Sequence, residues 1–283
     1  MFAFFANTFG YVLNFIYEIV NNYGLAIILF SIIVKIVLLP ISIKQQRTME
    51  KSAKLQGKLK ELQFKYKNNP EMLNKETIAL YKNEKMSPFS GCFSSIIQMI
   101  LLLSVFFLVQ SPLTYMRKVD TTVVEEYKNQ IISQGESNSN VKYPEIQIIQ
   151  QYGSEDERVY MNMQFLGLDL SLVPISSLND YRVFVIPILY VISSFISMKI
   201  STNLTKKKKI KKAEEGEGEK KNEVDAIEEA NKNMMYIMPV MAVSISLIAP
   251  LGLALYWLVN NILMIVERVL MNKFLKTEGE ENA

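Results

Sequence analysis

Apolar residues in this sequence are gathered into a few long runs, which are separated by segments rich in charged residues. The most continuous run extends over residues 23–43 and is interrupted by Ser31, Lys35 and Ser42. Twenty helical residues cover about 30 Å, which is the thickness of the hydrocarbon core of a bilayer. The pattern therefore predicts a membrane-spanning helix that carries one cation near its middle.

Lys35 is a candidate functional residue because of its depth in this span. A charge at mid-bilayer costs about 2.5–3.5 kcal/mol on insertion scales, and it is retained where it faces protein or a water-filled cavity. In the alternative interpretation, the long stem carries the ammonium to the nearer interface. Lys44 marks that interface about 13 Å away along the helix axis. A lysine stem reaches only about half of that distance, which favours a polar cavity.

The whole pattern predicts an all-α polytopic membrane protein with five transmembrane helices. The N-terminal residues carry a polar stripe that suits a helix lying in the membrane interface, and a plain start of the first span is the alternative. The predicted segments are an interfacial helix at 1–22, the first span at 23–43, a cytoplasmic helical hairpin at 44–90, the second span at 91–110, an extracytoplasmic insert at 111–180, the third span at 181–200, a basic and acidic cytoplasmic loop at 201–232, the fourth span at 233–249, the fifth span at 250–271 and a cytoplasmic tail at 272–283.

The predicted hairpin is strongly basic, with eleven Lys and Arg residues against five Glu. Asn68-Asn69-Pro70 separates its two helices, since proline breaks a helix interior and suits a helix start. The hairpin is a candidate site for a ribosome, a nascent chain or anionic lipid, and a solvated basic loop that marks the cytoplasmic side explains the same charges. Its candidate contact residues are Lys51, Lys54, Lys58 and Lys65.

The distribution of Lys and Arg predicts the topology. Residues 44–90 and 201–232 carry eleven and nine of them, whereas residues 1–22 carry none and the seventy residues of the insert carry five. We therefore expect a multi-pass membrane protein with its N-terminus outside and its C-terminus in the cytoplasm. The apolar residues of the insert are scattered, and no fold follows from them.

Several kinds of chemistry are disfavoured by the sequence. The chain has no histidine and one cysteine, which excludes an intrachain disulfide and disfavours a zinc or haem site. It contains no nucleotide-binding, zinc or nucleophile motif, so we expect neither an enzyme nor a cofactor. The predicted spans have no Asp or Glu at their centres, which disfavours a proton-coupled transporter. The polar residues that remain at mid-depth are Gln98, which suits either a helix–helix hydrogen bond or a groove, and Trp257, Asn260 and Asn261 on the last span.

The order of these features resembles the YidC-type membrane protein insertases, in the bacterial, Gram-positive-like form without a large periplasmic domain. The sequence GCFSSIIQMILLLSVFFLV at 91–109 resembles the second span of that family, with its Gly-Cys-Phe start and central Gln. The sequence MPVMAVSISLIAPLGLALYWLVNN at 238–261 resembles its last two spans. The resemblance covers the five spans and the hairpin, and it leaves out the insert. The cation of the first span is typically arginine in the family, whereas Lys35 keeps the charge without the bidentate fork.

The resemblance implies five helices around a hydrophilic groove that is open to the cytoplasm and to lipid and closed towards the outside. Lys35 would attract acidic residues of a substrate tail, so Lys35→Ala is expected to impair acidic tails more than neutral ones. Gln98, Asn260 and Asn261 would keep the groove hydrated, and Trp257 would contact the substrate. A crosslinking probe at Phe30, which we expect to face lipid, would be the comparison for one at Lys35.

The implied function is that of an insertase and chaperone, which moves short hydrophilic tails across the bilayer and releases their transmembrane helices into lipid. Its expected partners are nascent membrane proteins, the ribosome and anionic lipids, with participation of the Sec translocon left open. A groove formed within one bundle is expected to work as a monomer. Two alternatives are a channel or transporter component and a membrane scaffold that docks a soluble partner through the hairpin.

Overall fold

The computed structural model describes residues 2–84, 90–134, 142–214 and 244–281, which are largely α-helical. This confirms an all-α membrane protein. The helices are α1 (Phe2–Val20), α2 (Tyr23–Lys65), α3 (Pro70–Asn83), α4 (Ser90–Gln110), α5 (Thr121–Ser133), α6 (Pro144–Tyr152), α7 (Val185–Glu214) and α8 (Leu251–Glu281). The shorter elements are a π-helical turn at Leu113–Arg117, 3-10 turns at Pro174–Ser176 and Tyr181–Phe184, and the antiparallel strands β1 (Gln164–Phe165) and β2 (Leu168–Asp169).

Four helical segments of the described chain are long and apolar enough to cross a membrane. They are Phe2–Val20, Tyr23–Thr48, Tyr181–Ile200 and Leu251–Met271, and α4 contributes a shorter apolar segment at Met99–Gln110. Large apolar side chains on α2, such as Ile36 and Val37, are 64% and 68% exposed, as expected for a surface that faces lipid. Because α1 also has the length and composition of a span, its position in the membrane interface stays a prediction.

Several helices run past the boundaries expected from the sequence. The first span and the first helix of the hairpin are one helix of 43 residues, α2, which continues through Pro40. A proline removes one hydrogen bond from a helix interior, and the Lys, Gln, Glu and Leu residues that follow are good helix formers. Residues 201–214 of the predicted loop continue α7, and the predicted tail continues α8 to Glu281.

The predicted fourth span lies mostly outside the described residues. Of positions 233–249, the structure describes a helical segment at 244–248 and the turn that follows. In that turn the backbone N–H of Ala249 donates to the carbonyl oxygen of Ile245 over 3.0 Å, and α8 begins at Leu251. The remainder of the predicted loop, residues 215–232, is likewise not described.

The insert at 111–180 is folded against one end of the helical bundle, where α2 and α8 begin. The backbone N–H of Tyr23 at the start of α2 donates to the carbonyl oxygen of Asn162 over 3.0 Å. The first turn of α8 is capped in the same way, since the N–H groups of Leu251 and Gly252 donate to the carbonyls of Leu172 and Leu170. The N–H groups of a first helical turn have no partner within the helix. The insert therefore supplies acceptors for the first turns of α2 and α8, and the Asn22 side chain caps α2 by accepting from the N–H of Leu25.

We call the side of the bundle that contacts residues 111–180 the insert end, and the side that carries α3 the hairpin end. At the insert end, apolar side chains of the insert and of the bundle form one continuous core. Fully buried members are Leu13 and Phe30 from the bundle and Ile131, Ile148 and Leu170 from the insert. The insert is thus part of the main hydrophobic core.

Glu145 is a buried carboxyl group within the insert. Its two oxygens accept hydrogen bonds from the backbone N–H of Thr114, over 3.0 Å, and from the hydroxyl of Thr114, over 2.6 Å. Burial raises the pKa of Glu145 above its ordinary value, and the two hydrogen bonds from Thr114 offset only part of that rise. The folded protein therefore binds this proton more tightly than the unfolded chain does.

We expect the free energy of unfolding to depend on pH partly through Glu145, and Glu145→Gln to remove that part of the dependence. Because the pKa of Glu145 is raised by folding, its contribution to stability is full at low pH. It declines as the pH rises from the ordinary carboxyl pKa through the raised one, and is constant above. Melting temperatures at pH 5 and pH 7.5 measure the decline, which should be smaller in the Gln variant than in the wild type. Equal declines in the two proteins would assign the pH dependence to other groups.

Candidate functional site

A groove runs between α2, α4 and α8 and has a volume of about 230 Å³. On α2 its polar lining recurs at helical spacing, and residues three, four and seven positions apart share one face of a helix. These residues are Ser31, Lys35, Ser42, Gln45 and Gln46. The interruptions of the apolar run at 23–43 thus lie on one face of α2, and that face lines the groove.

α8 provides a second row of lining residues, across the groove from the row on α2. Its members follow the same spacing and are Tyr256, Asn260, Met264, Glu267 and Met271. On α4 the lining is apolar and consists of Leu101, Leu102 and Val105. The polar groups of the groove therefore come from α2 and α8.

The two ends of the groove differ in polarity. Towards the insert end it is lined by Phe9, Phe30 and Val105, and Phe30 and Val105 are almost completely buried. Towards the hairpin end it is lined by Gln45 and Arg268. The charged lining residues Lys35, Glu267 and Arg268 therefore lie on the hairpin side of this apolar packing.

Lys35 and Glu267 form an ion pair inside this groove. The distance between Lys35 Nζ and Glu267 Oε2 is 2.5 Å, and the two side chains are 23% and 8% exposed. The other carboxylate oxygen, Oε1, is buried and has no hydrogen-bond partner among the described residues. Lys35 thus faces a polar groove, and its charge is balanced there by a carboxylate from α8.

Glu267 is a groove residue that the sequence did not single out. It lies near the C-terminal end of the apolar segment Leu251–Met271 and is buried. The expectation that the spans have no Asp or Glu at their centres is unaffected, because Glu267 belongs to the last turns of this segment. The signal that identifies it is its position seven residues after Asn260, on the same face of the helix.

The predicted groove residues of α8 lie on two faces. Asn260 lines the groove. Asn261 is buried against α7, where its Nδ2 donates to the hydroxyls of Ser193 and Ser194 over 2.9 and 3.1 Å. Trp257 packs beside Tyr190 of α7, with ring centroids 6.3 Å apart. Asn261 and Trp257 therefore fasten α8 to α7, while Asn260 shares the groove with Lys35.

Two further positions named from the sequence are Gln98 and Phe30. The side chain of Gln98 lies outside the described part of α4. Phe30 was expected to face lipid, and this is wrong, because it is 1% exposed. Its ring packs edge to face against Phe9, with centroids 5.8 Å apart. A control residue that faces lipid must therefore be chosen elsewhere on α2, and Val37 is suitable.

The four predicted contact lysines of the hairpin lie on the part of α2 that extends beyond the bundle. Lys58 Nζ contacts Glu84 Oε1, just after α3, at 2.6 Å, and this hydrogen bond and charge lower the pKa of Glu84. Lys51 and Lys65 are exposed, and the ammonium of Lys65 lies 5.2 Å from the centre of the Tyr66 ring. The side chain of Lys54 is not described.

No metal centre is formed by the described residues. Within residues 2–84, 90–134, 142–214 and 244–281, no three His, Cys, Asp or Glu side chains come close enough together to bind a metal ion. The groove therefore offers charges, amides and hydroxyls as its polar groups.

Several apolar helices of spanning length, with a polar groove between them, define a multi-pass membrane protein. The model of the 60Kd inner membrane protein family matches residues 15–278. The chain therefore belongs to this family.

Relatives of the chain carry a more specific name. It is 25% identical over 264 residues to the membrane protein insertase YidC of Fusobacterium nucleatum, which covers 93% of each chain. It is 38% identical over 109 residues to the membrane protein insertase YidC of Francisella tularensis subsp. novicida, which covers 38% of this chain and 20% of that one. The resemblance to YidC-type insertases is thereby confirmed, as is the insertase class of function.

Proposed function

We propose that this chain inserts membrane proteins by admitting their short hydrophilic tails into the groove between α2, α4 and α8. The observation that carries the proposal is the placement of Lys35, Glu267 and Asn260 in one groove between apolar helices. Polar groups at such depth are costly in lipid and characterise pathways for polar substrates. The insertase function of the family supports this reading.

The polarity of the groove sets the direction of the proposed path. Most Lys and Arg residues outside the spans belong to residues 44–90 at the hairpin end and to residues 201–232, which favours the cytoplasm for that side. The N-terminus and the insert would then be outside. A tail would enter among Gln45, Gln46 and Arg268 and advance towards Lys35. The apolar packing at Phe30 would keep ions and water from crossing at the insert end.

The free-energy gain of insertion would come from the substrate itself. A polar tail has about 30 Å of hydrocarbon to cross, and a hydrated groove shortens the apolar part of that path. Once the tail is across, the apolar span of the substrate gains free energy by entering lipid. The chain would act without a cofactor, as a chaperone for this passage.

The hairpin is proposed to contact the partners that deliver the substrate. Lys51 and Lys65 are exposed on α2 beyond the bundle, where a ribosome, a nascent chain or anionic headgroups would meet them. The ion pair of Lys58 with Glu84 links α2 to the end of α3 and would hold this surface in shape. The groove is built from one chain, so a monomer would suffice for this passage.

Photo-crosslinking from inside the groove tests the proposal. A probe at Ser42, which lines the groove, leaves the Lys35–Glu267 pair intact, and a probe at Val37 on the exposed face of α2 is the matched control. With ribosome-stalled single-span substrates in native membranes, we expect Ser42 crosslinks at short chain lengths that fade as the substrate lengthens. Val37 should react weakly at short lengths. Crosslinks of equal strength at both positions, or none from Ser42 at any length, would contradict a path through the groove.

A further inference from the structure

The formal charges that line the groove sum to +1, and the deeper of its two cations is paired with the one acid. In the part of the chain that the structure describes, they are Lys35, Glu267 and Arg268, and Glu267 is the acid. Glu267 contacts Lys35 at 2.5 Å from a different helix. Lys35 and its counter-ion therefore form a nearly neutral pair in the deeper part of the groove, and Arg268 lies next to it towards the hairpin end.

A paired cation attracts an acidic tail differently from a free one. At distances greater than the separation of the pair, the fields of Lys35 and Glu267 largely cancel, so an approaching carboxylate gains little. At contact, an ammonium has three donors, and Lys35 is partly exposed while Glu267 is buried. An acidic side chain can then take a remaining N–H of Lys35, but it does so beside the negative charge of Glu267.

We propose that Glu267 is a specificity-determining residue, an internal counter-ion that limits the preference of the groove for acidic tails. This inference rests on the proposed passage of tails through the groove. With the pair intact, neutral and basic tails meet no large electrostatic barrier at Lys35, and acidic tails are favoured only weakly. In this proposal α8 sets the charge preference of the groove at Lys35 as much as α2 does.

The test compares tails of different charge in one reconstituted system. Proteoliposomes containing the full chain receive single-span substrates whose short tails carry two Asp, two Asn or two Lys residues, and protease protection measures insertion. For Glu267→Gln we expect the ratio of Asp-tail to Lys-tail insertion to rise by at least about threefold, because one partly screened charge is removed next to the path. Glu125→Gln removes an exposed carboxylate of the insert and should leave the ratio unchanged.

A second variant tests the same idea in the opposite direction. Lys35→Gln leaves the carboxylate of Glu267 in the groove, so the ratio of Asp-tail to Lys-tail insertion should fall below the wild-type value. The reversed pair, Lys35→Glu with Glu267→Lys, keeps the net charge and should return the ratio close to that of the wild type. A purely structural role of Glu267 would lower the insertion of all three tails without changing the ratio.

Two negative results have different meanings. If wild-type proteoliposomes insert the substrates and Glu267→Gln leaves the ratio of tails unchanged, the role of Glu267 is overturned while the proposed function stands. The role of Glu267 is also overturned if Lys35→Gln shifts the ratio of Asp-tail to Lys-tail insertion in the same direction as Glu267→Gln. If wild-type proteoliposomes insert no more of any tail than empty liposomes do, the proposed function itself fails.

Discussion

Lys35→Met is expected to destabilise the protein by about 3–5 kcal/mol, the cost of breaking a buried ion pair by removing one partner. The substitution keeps an unbranched side chain, one atom shorter, and removes its charge. It leaves the carboxylate of Glu267, which is 8% exposed, without its cation, and Oε1 already has no partner among the described residues. Thermal unfolding of the purified protein in detergent measures the effect as a fall in melting temperature.

The matched control is Lys58→Met, which breaks the ion pair between Lys58 and Glu84. Those side chains are 57% and 39% exposed, so water replaces the lost partner and the melting temperature should change little. The double variant Lys35→Met with Glu267→Met should recover most of the lost stability, because an apolar pair of similar volume carries no unpaired charge. If Lys35→Met melts like Lys58→Met, the pair in the groove is not a stabilising contact between α2 and α8.

This stability effect changes how insertion assays of Lys35 variants are read. The sequence predicts that Lys35→Ala impairs acidic tails more than neutral ones. In the structure, the same substitution also leaves the negative charge of Glu267 in the groove, which repels acidic tails and lowers stability. The double variant Lys35→Met with Glu267→Met separates the loss of the cation from the effect of an unpaired Glu267. Any preference for acidic tails that remains in this variant does not come from the ion pair.

The helical spans were predictable because lipid imposes a strong constraint on sequence. A chain in hydrocarbon must satisfy its backbone hydrogen bonds internally, and about twenty apolar residues are needed to cross. The run around Lys35 meets that requirement, and a lone cation within it is conspicuous. Both features were therefore visible before the structure, and α2 contains them.

The partner of Lys35 could not be found from composition alone. Glu267 follows the apolar run of the last span directly and precedes Arg268, so it has the appearance of a polar helix end. Its burial depends on where α2 packs against α8, which is a tertiary contact. Helical spacing from Asn260 was the available signal, and it also separates Asn260 from Asn261, since successive residues on a helix point about 100° apart.

The insert could not be predicted because its core is shared with the bundle. Apolar residues of an independent small domain would show their own periodicity, whereas Ile148 and Leu170 join a core that also contains Leu13 and Phe30. Its hydrogen bonds likewise run to distant backbone groups, such as the bond from Tyr23 N–H to the Asn162 carbonyl. Partners this far apart in sequence leave no local pattern.

The packing of α1 on the insert end leads to the second large prediction. Gly10 faces the π-helical turn at Leu113–Arg117, and a Cβ atom added at Gly10 would lie 1.8 Å from the carbonyl oxygen of Tyr115. A backbone oxygen cannot rotate away as a side chain does, so α1 or the turn must shift. We expect Gly10→Ala to destabilise the protein by about 3 kcal/mol or more, at the upper end of the overpacking range.

Gly57→Ala is the matched control, because the same methyl group is added in the interior of α2, where no described atom outside the local helix backbone lies within 4 Å. Alanine favours a helix over glycine by about 1 kcal/mol, so this variant should be slightly more stable than the wild type. Melting temperatures of the two variants should thus change in opposite directions, although helix propensity alone predicts a gain for both. If Gly10→Ala is as stable as Gly57→Ala, α1 does not pack against the turn that follows α4, and the apolar closure at the insert end needs another cause.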